Sequence, residues 1–210
     1  MLTSIDAPIQ NRGLVCLNNC EVNTLYKGIN TLLCSYNKAG FTIARIRCDN
    51  KFSTLSNEVM DNNNIELNVV PQGDHVPEAK RNNRTISERI RATFHCLPYR
   101  IIPKVMLKTL AVVSCQQLNY FPAKNGVLEY FSTHMLMNRE NIDYNRHCRF
   151  TFGKYVQAYQ EEEKKNDNKP LTIDGIYLEP RFKSSGGHYI MNIATGACMH
   201  KKRLWSVPIT

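Results

Sequence analysis

Between residues 41 and 97 the hydrophobic period of the sequence changes repeatedly, and this alternation restricts the possible fold more than any other feature. Phe41-Thr42-Ile43-Ala44-Arg45-Ile46-Arg47-Cys48-Asp49 has the alternating character of a strand and ends on an acid. Residues 52–60 suit a short helix, and Ile65-Glu66-Leu67-Asn68-Val69-Val70 suits a second strand, closed by Pro71-Gln72-Gly73. Pro77 fits the first turn of a helix, where a missing N–H costs nothing. Ile86, Ile90, Thr93, Phe94 and Leu97 then fall along one stripe, so the helix should run to about Cys96 and stop at Pro98. Strands alternating with helices predict an α/β core.

The flanking segments extend this pattern. Residues 1–5 and 9–17 suit two strands of a short hairpin turning near Asp6-Ala7-Pro8. Leu25, Ile29, Leu32, Leu33 and Tyr36 recur at helical spacing, with Gly40 as a stop signal. A helix over 103–118 carries Val105, Leu107, Leu110, Val112 and Val113, too apolar all round for a surface helix and therefore expected to be buried. From about residue 150 the character changes. Residues 152–159, 173–178, 188–193 and 202–207 are short strand-like segments parted by turns, which predict a small antiparallel barrel or sheet, with 161–169 as an exposed charged loop.

A chain of 210 residues accommodates one domain with a small appendage. The formal charge of +9 points to a polyanionic partner, with nucleic acid first among them. No apolar run reaches the ~18 residues of a membrane span, and Met1-Leu2-Thr3-Ser4-Ile5-Asp6 lacks the order of a signal peptide. An intracellular protein, nuclear or cytoplasmic and without a membrane partner, is the expectation. Eight cysteines are scattered without a Cys-x-x-Cys pair, and the histidines lack ligand spacing, so buried thiols are expected and zinc is not.

Chemistry concentrates in two acids. Glu78 lies in the first turn of the helix opened by Pro77, where the helix dipole favours a carboxylate suited to a hard cation such as Mg2+ or Mn2+. Asp49 ends the upstream strand and could meet Glu78 at one site. On a helical wheel Asn82, Thr85 and Arg89 share the face of Glu78. Lys80, Arg84 and Arg91 project opposite the apolar stripe, and Arg81 flanks the acid. These basic side chains can meet phosphates without reading bases. The plainer alternatives are a helix-start acid, a strand-end turn residue and a solvated basic face.

His75-Val76-Pro77-Glu78, followed by Arg81, Arg84, Glu88-Arg89 and Arg91-Ala92, resembles the integrase of copia-type long-terminal-repeat retrotransposons, in a divergent branch with His-Val-Pro-Glu. Asp49-Asn50 resembles the strand-ending pair of that family's middle aspartate, at a somewhat shorter spacing. Leu118-Asn119-Tyr120-Phe121-Pro122-Ala123-Lys124 is similar to its Leu-Asn-x-x-Pro-x-Lys segment. Residues 132–137 resemble a short Thr-Pro-x-x-x-Trp helix without the Pro and Trp. Phe152-Gly153, Thr195-Gly196 and residues 201–207 resemble the opening and closing of the terminal strands.

The resemblance implies a ribonuclease-H-like integrase core, a mixed sheet with flanking helices over residues 1–143, followed by a small all-β, barrel-like domain over 144–210. It implies Asp49 and Glu78 as catalytic metal ligands of an Asp-Asp-Glu triad. Lys80, Arg81, Arg84, Arg89 and Arg91 would hold DNA, with homo-oligomers or other polyprotein products as further partners. The reaction implied is metal-dependent 3′-processing and strand transfer. The family's first aspartate lies on a strand upstream of the hairpin that opens this sequence, and Asp6 sits in a turn, so the triad is incomplete. A truncated core is one expectation; a non-enzymatic DNA-binding or self-associating module is the other.

Overall fold

The structure is a computed structural model that describes residues 1–55, 59, 64–71, 73–74, 76–124, 126–127, 129–160, 168, 170–182 and 185–207. It is a mixed α/β protein. The chain forms two compact units, one of Met1–Ile90 with Ser114–Asn141 and one of Arg91–Val113 with Ile142–Thr210. Sequence places a single boundary at 143/144; the folded chain passes between units after Ile90, Val113 and Asn141.

In the first unit, β1 (Leu2–Ile5) and β2 (Arg12–Val15) form the expected antiparallel hairpin, with Leu2 opposite Val15 and Ile5 opposite Arg12. Its turn is held by Asp6, whose carboxylate accepts the Ile9 N–H at 2.7 Å while its own N–H reaches the Asn11 carbonyl. Helix α1 (Val22–Ala39) buries Ile29, Leu33 and Tyr36. It ends where Gly40 adopts φ 86°, a conformation that favours glycine. The N–H groups of Gly40 and Phe41 there satisfy the carbonyls of Asn37 and Tyr36.

Strands β3 (Arg45–Cys48) and β4 (Glu66–Val69) pair in parallel, Cys48 opposite Val69. Parallel strands require a crossover. The crossover contains a 3-10 helix at Asn50–Leu55 in place of the first part of the α-helix expected over 52–60, while Val59 in its second part is α-helical. Asn50 and Ser53 favour tight local turns over a regular helix, and the Phe52 N–H closes on the Asp49 carbonyl at 3.0 Å. Residues 56–58 and 60–63 lie outside the described residues. Leu2, Ile29, Leu33, Leu55, Val59 and Ile65 form this unit's core. Among the described residues the single mixed sheet expected is divided into two two-stranded sheets, β1–β2 and β3–β4.

Helix α2 (Pro77–His95) starts at the expected proline and ends before Pro98, burying Asn82 and Ile86. Helix α3 (Lys104–Leu118) buries Met106, Leu110, Ala111, Val113 and Cys115. Leu107, expected inside, is half exposed because α3 keeps one solvent edge. Short helices α4 (Thr133–Asn138) and α5 (Tyr144–His147) start at Ser132 and Asp143, whose side chains accept the N–H groups of Met135 and Arg146.

The second unit contains an antiparallel sheet of β5 (Tyr155–Tyr159), β6 (Thr172–Pro180), β7 (His188–Asn192), β8 (Cys198–Lys201) and β9 (Leu204–Ser206), in the order β8-β7-β6-β5-β9. Strand β8 has no counterpart among the four segments read from sequence. Its Cys198-Met199-His200-Lys201 lacks β-branched residues, although Thr195-Gly196 signals the turn before it. Strands β8 and β9 occupy opposite edges yet are joined only by Lys202 and Arg203. That link spans about 11 Å at most, whereas the edges of a flat five-stranded sheet lie about 19 Å apart. The sheet must therefore curl on itself around Phe150, Val156, Ala158, Tyr177, Ile190 and Leu204. The expected loop at 161–167 and Lys169 lies outside the described residues.

Candidate functional site

The parallel pair fixes where the first acid emerges. The Val70 N–H bonds to the Cys48 carbonyl at 3.0 Å, so β3 and β4 end on the same edge. Asp49 leaves that edge from β3 and is exposed. The chain leaving β4 turns at Pro71, whose carbonyl accepts the Asp74 N–H at 3.1 Å, and then enters α2. Glu78 stands exposed in the first turn of that helix. His75 of the His-Val-Pro-Glu run lies outside the described residues, while Val76 is buried.

What fixes α2 is one helical turn beyond Glu78. Asn82 is 1% exposed, and its amide donates to the Ser4 carbonyl at 3.0 Å while its oxygen accepts from Arg12 Nη1 at 2.6 Å. The Thr3 hydroxyl donates to the Asn83 side chain. Strand β2 is clamped from its other side. The Asn119 side chain accepts the Arg12 N–H at 3.0 Å and donates to the Arg12 carbonyl at 2.8 Å, as a neighbouring strand would. Asn11, also buried, donates to the Tyr36 hydroxyl, whose pKa burial pushes up to about 12. These asparagines were not singled out as site residues from sequence. The one available signal was Asn82 inside a helix, where asparagine is intrinsically unfavourable unless its side chain is used.

The geometry decides what each acid can do. The ion pairs among the described residues are Arg45–Glu66 and Arg84–Glu88, both at 2.8 Å, so neither Asp49 nor Glu78 is engaged in one. Two exposed carboxylates on separate elements offer hard oxygen ligands to a divalent cation. Among the described residues, however, no three His, Cys, Asp or Glu side chains gather as a ligand set. Asp6 is held in its turn by Ile9.

The basic residues all issue from α2. Lys80, Arg81, Arg84, Arg89 and Arg91 are exposed. Arg84 is shared with Glu88 four residues on, which offsets part of the charge available to phosphate. The thiols are less buried than expected. None of the eight cysteines is in a disulfide, and only Cys115 is buried, because Cys34 faces solvent on α1 and Cys198 lies on an edge strand. Burial raises the Cys115 thiol to about 12, although Arg12 opposes the shift. Burial raises Cys48 to about 11, with the Asp49 charge adding to it.

No helix among the described residues is long and apolar enough to cross a membrane. No family model matches the chain, and no curated protein does.

Proposed function

We propose that this chain is an integrase-like fragment of a copia-type retrotransposon that engages DNA, with Asp49 and Glu78 as two ligands of its divalent cations. The observation that carries this reading is the β3–β4–α2 connection. An acid follows the end of one parallel strand, and a second acid opens the basic helix that follows its neighbour. Ligands of open α/β folds gather at that strand edge. The order hairpin, third strand, parallel fourth strand and helix also suits a ribonuclease-H-like core, and the curled sheet suits a small terminal β domain.

In this reading Asp49 and Glu78 hold Mg2+ or Mn2+, which supplies charge neutralisation at the attacking and leaving oxygens of a phosphodiester. Lys80, Arg81, Arg84, Arg89 and Arg91 hold the DNA backbone without regard to sequence. A second reading is a non-enzymatic DNA-binding module. It is favoured by Asp6, whose carboxylate is already committed to the Ile9 N–H.

Strand transfer by the full chain with a donor duplex and Mg2+ or Mn2+ separates the two. Activity abolished by Glu78→Gln establishes the enzymatic reading. Salt-sensitive duplex binding without Mg2+- or Mn2+-dependent strand transfer establishes the binding module. Absence of duplex binding at low salt refutes both.

A further inference from the structure

Gln157 lies at the middle of the outer face of β5, and the strand register surrounds it with three aromatic rings and one acid. Val156 and Ala158 point into the core of the curled sheet, so Tyr155, Gln157 and Tyr159 point away from it. Trp205 of β9 stands opposite Gln157 on one side and Asp174 of β6 on the other. Opposed residues of paired strands project to the same face, so all five side chains share the outer face. Tyr155 and Tyr159 flank Gln157 at about 7 Å along the strand, and Trp205 and Asp174 stand about 10 Å apart across it. The contacts agree with this placement. The Tyr155 hydroxyl donates to Asp174 Oδ1 at 2.7 Å, and Gln157 Nε2 approaches the same oxygen at 3.4 Å. Tyr159 and Trp205 meet edge to face, their ring centres 6.2 Å apart and their planes at 68°, as two walls of a corner. Trp205 is 47% exposed, and Asp174 is exposed beside it.

The faces of aromatic rings are negative, and a carboxylate among them makes the place attractive to a cation and hostile to phosphate. The chain supplies no such cation itself. Among the described residues Asp174 is in no ion pair, and the cation seated over a ring is Arg149 over Phe150. Arg203 continues the register opposite Tyr159, at the margin of the face. A bare ammonium is compact and strongly hydrated, so it gives up water at a cost on meeting a ring. Methyl groups on the nitrogen spread the charge, weaken that hydration and add dispersion contacts with the rings. A free small cation needs an enclosed pocket, whereas an open face beside an edge strand suits a charge presented on a long stem by a peptide. We infer that the outer face around Gln157 receives an N-methylated lysine side chain of a partner protein, its cation between the rings of Trp205, Tyr159 and Tyr155 with the Asp174 carboxylate beside it. The site lies within the second unit and uses neither Asp49 nor Glu78, so it goes beyond the DNA reading.

Trp205 is the sole tryptophan of the chain, so its fluorescence reports on this face directly. Titrating the full chain with a short peptide carrying one trimethyllysine should change that emission saturably. The same peptide with unmodified lysine should bind about tenfold more weakly. By calorimetry, Trp205→Leu and Tyr159→Leu should each weaken binding of the methylated peptide about three- to thirtyfold, the worth of one cation–π contact. Asp174→Asn should weaken it about two- to fivefold, as for an exposed ion pair. Arg84→Gln on α2 should leave it unchanged. Asp174 is exposed, so its variant keeps the test readable if a ring variant does not fold. No saturable binding, equal binding of the two peptides, or binding unaltered in Asp174→Asn and in the folded ring variants overturns the inference. Tetramethylammonium binding as tightly as the methylated peptide overturns it by assigning the face to a free cation. Quenching of Trp205 by oligothymidylate without a response to the methylated peptide overturns it by assigning the face to nucleic-acid bases.

Discussion

Replacing Asn82 by alanine should loosen α2 from the hairpin and cost about 3 kcal/mol. Asn82 is 1% exposed and serves two partners, the Ser4 carbonyl and the Arg12 guanidinium. Losing the neutral bond to Ser4 costs about 1 kcal/mol. Arg12 is the larger loss. Burial already lowers its pKa, so removing its acceptor leaves a partly desolvated cation unmatched, at about 2 kcal/mol after allowance for solvent on its open side. Asn82→Asp keeps an acceptor for Arg12 and loses only the donor to Ser4, so it should cost about 1 kcal/mol. Asn82→Leu keeps the volume but neither bond, and should resemble alanine. Urea unfolding gives the total, and hydrogen exchange of the β1, β2 and α2 amides locates the loss. If aspartate costs as much as alanine, or alanine costs less than about 0.5 kcal/mol, the docking of α2 through Asn82 is refuted.

Two further outcomes follow from the second unit. Burial, reinforced by Arg149 and Arg146, lowers His188 from 6.5 to about 4, so below pH 6.5 the unfolded chain takes up a proton that the folded sheet refuses. Stability from this group is complete above about pH 6.5 and is lost as pH falls toward 4, by about 1–2 kcal/mol once solvent screening of the arginines is allowed for. Thermal melts between pH 7 and 4.5 read it, and a His188→Gln variant with the same pH slope as the parent refutes it. Gly153→Ala should cost about 2–3 kcal/mol, because Gly153 has φ 82° and a methyl there would meet Leu97 Cδ2 and stand 2.9 Å from Tyr99 Oη. Retention of the parent's unfolding midpoint by that variant would show that Leu97 and Tyr99 are not packed on the glycine.

Local chemistry was readable where one residue determines the outcome. Gly40 marks the end of α1 because its conformation needs no Cβ, and Pro77 marks the start of α2 because its missing N–H has no partner to lose there. Alternation gave β3 and β4, but not that they pair with each other and remain separate from β1–β2, which depends on contacts distant in sequence. The Asn119 clamp on Arg12 joins positions 107 apart, and no local period announces it. The candidate acids have the same status. Their place at a strand end and a helix start was legible, whereas any shared geometry depends on the tertiary fold.

The balance of charge along α2 bears on how firmly that helix would hold phosphate. On α2 the cations are interleaved with Glu78 and Glu88, and Arg84 is already paired with Glu88. Being exposed, they meet phosphate in high dielectric, where each contact is weak and salt-sensitive. If α2 holds DNA, binding should show a steep salt dependence that Arg81→Gln makes shallower, and a duplex affinity that does not change with salt refutes it.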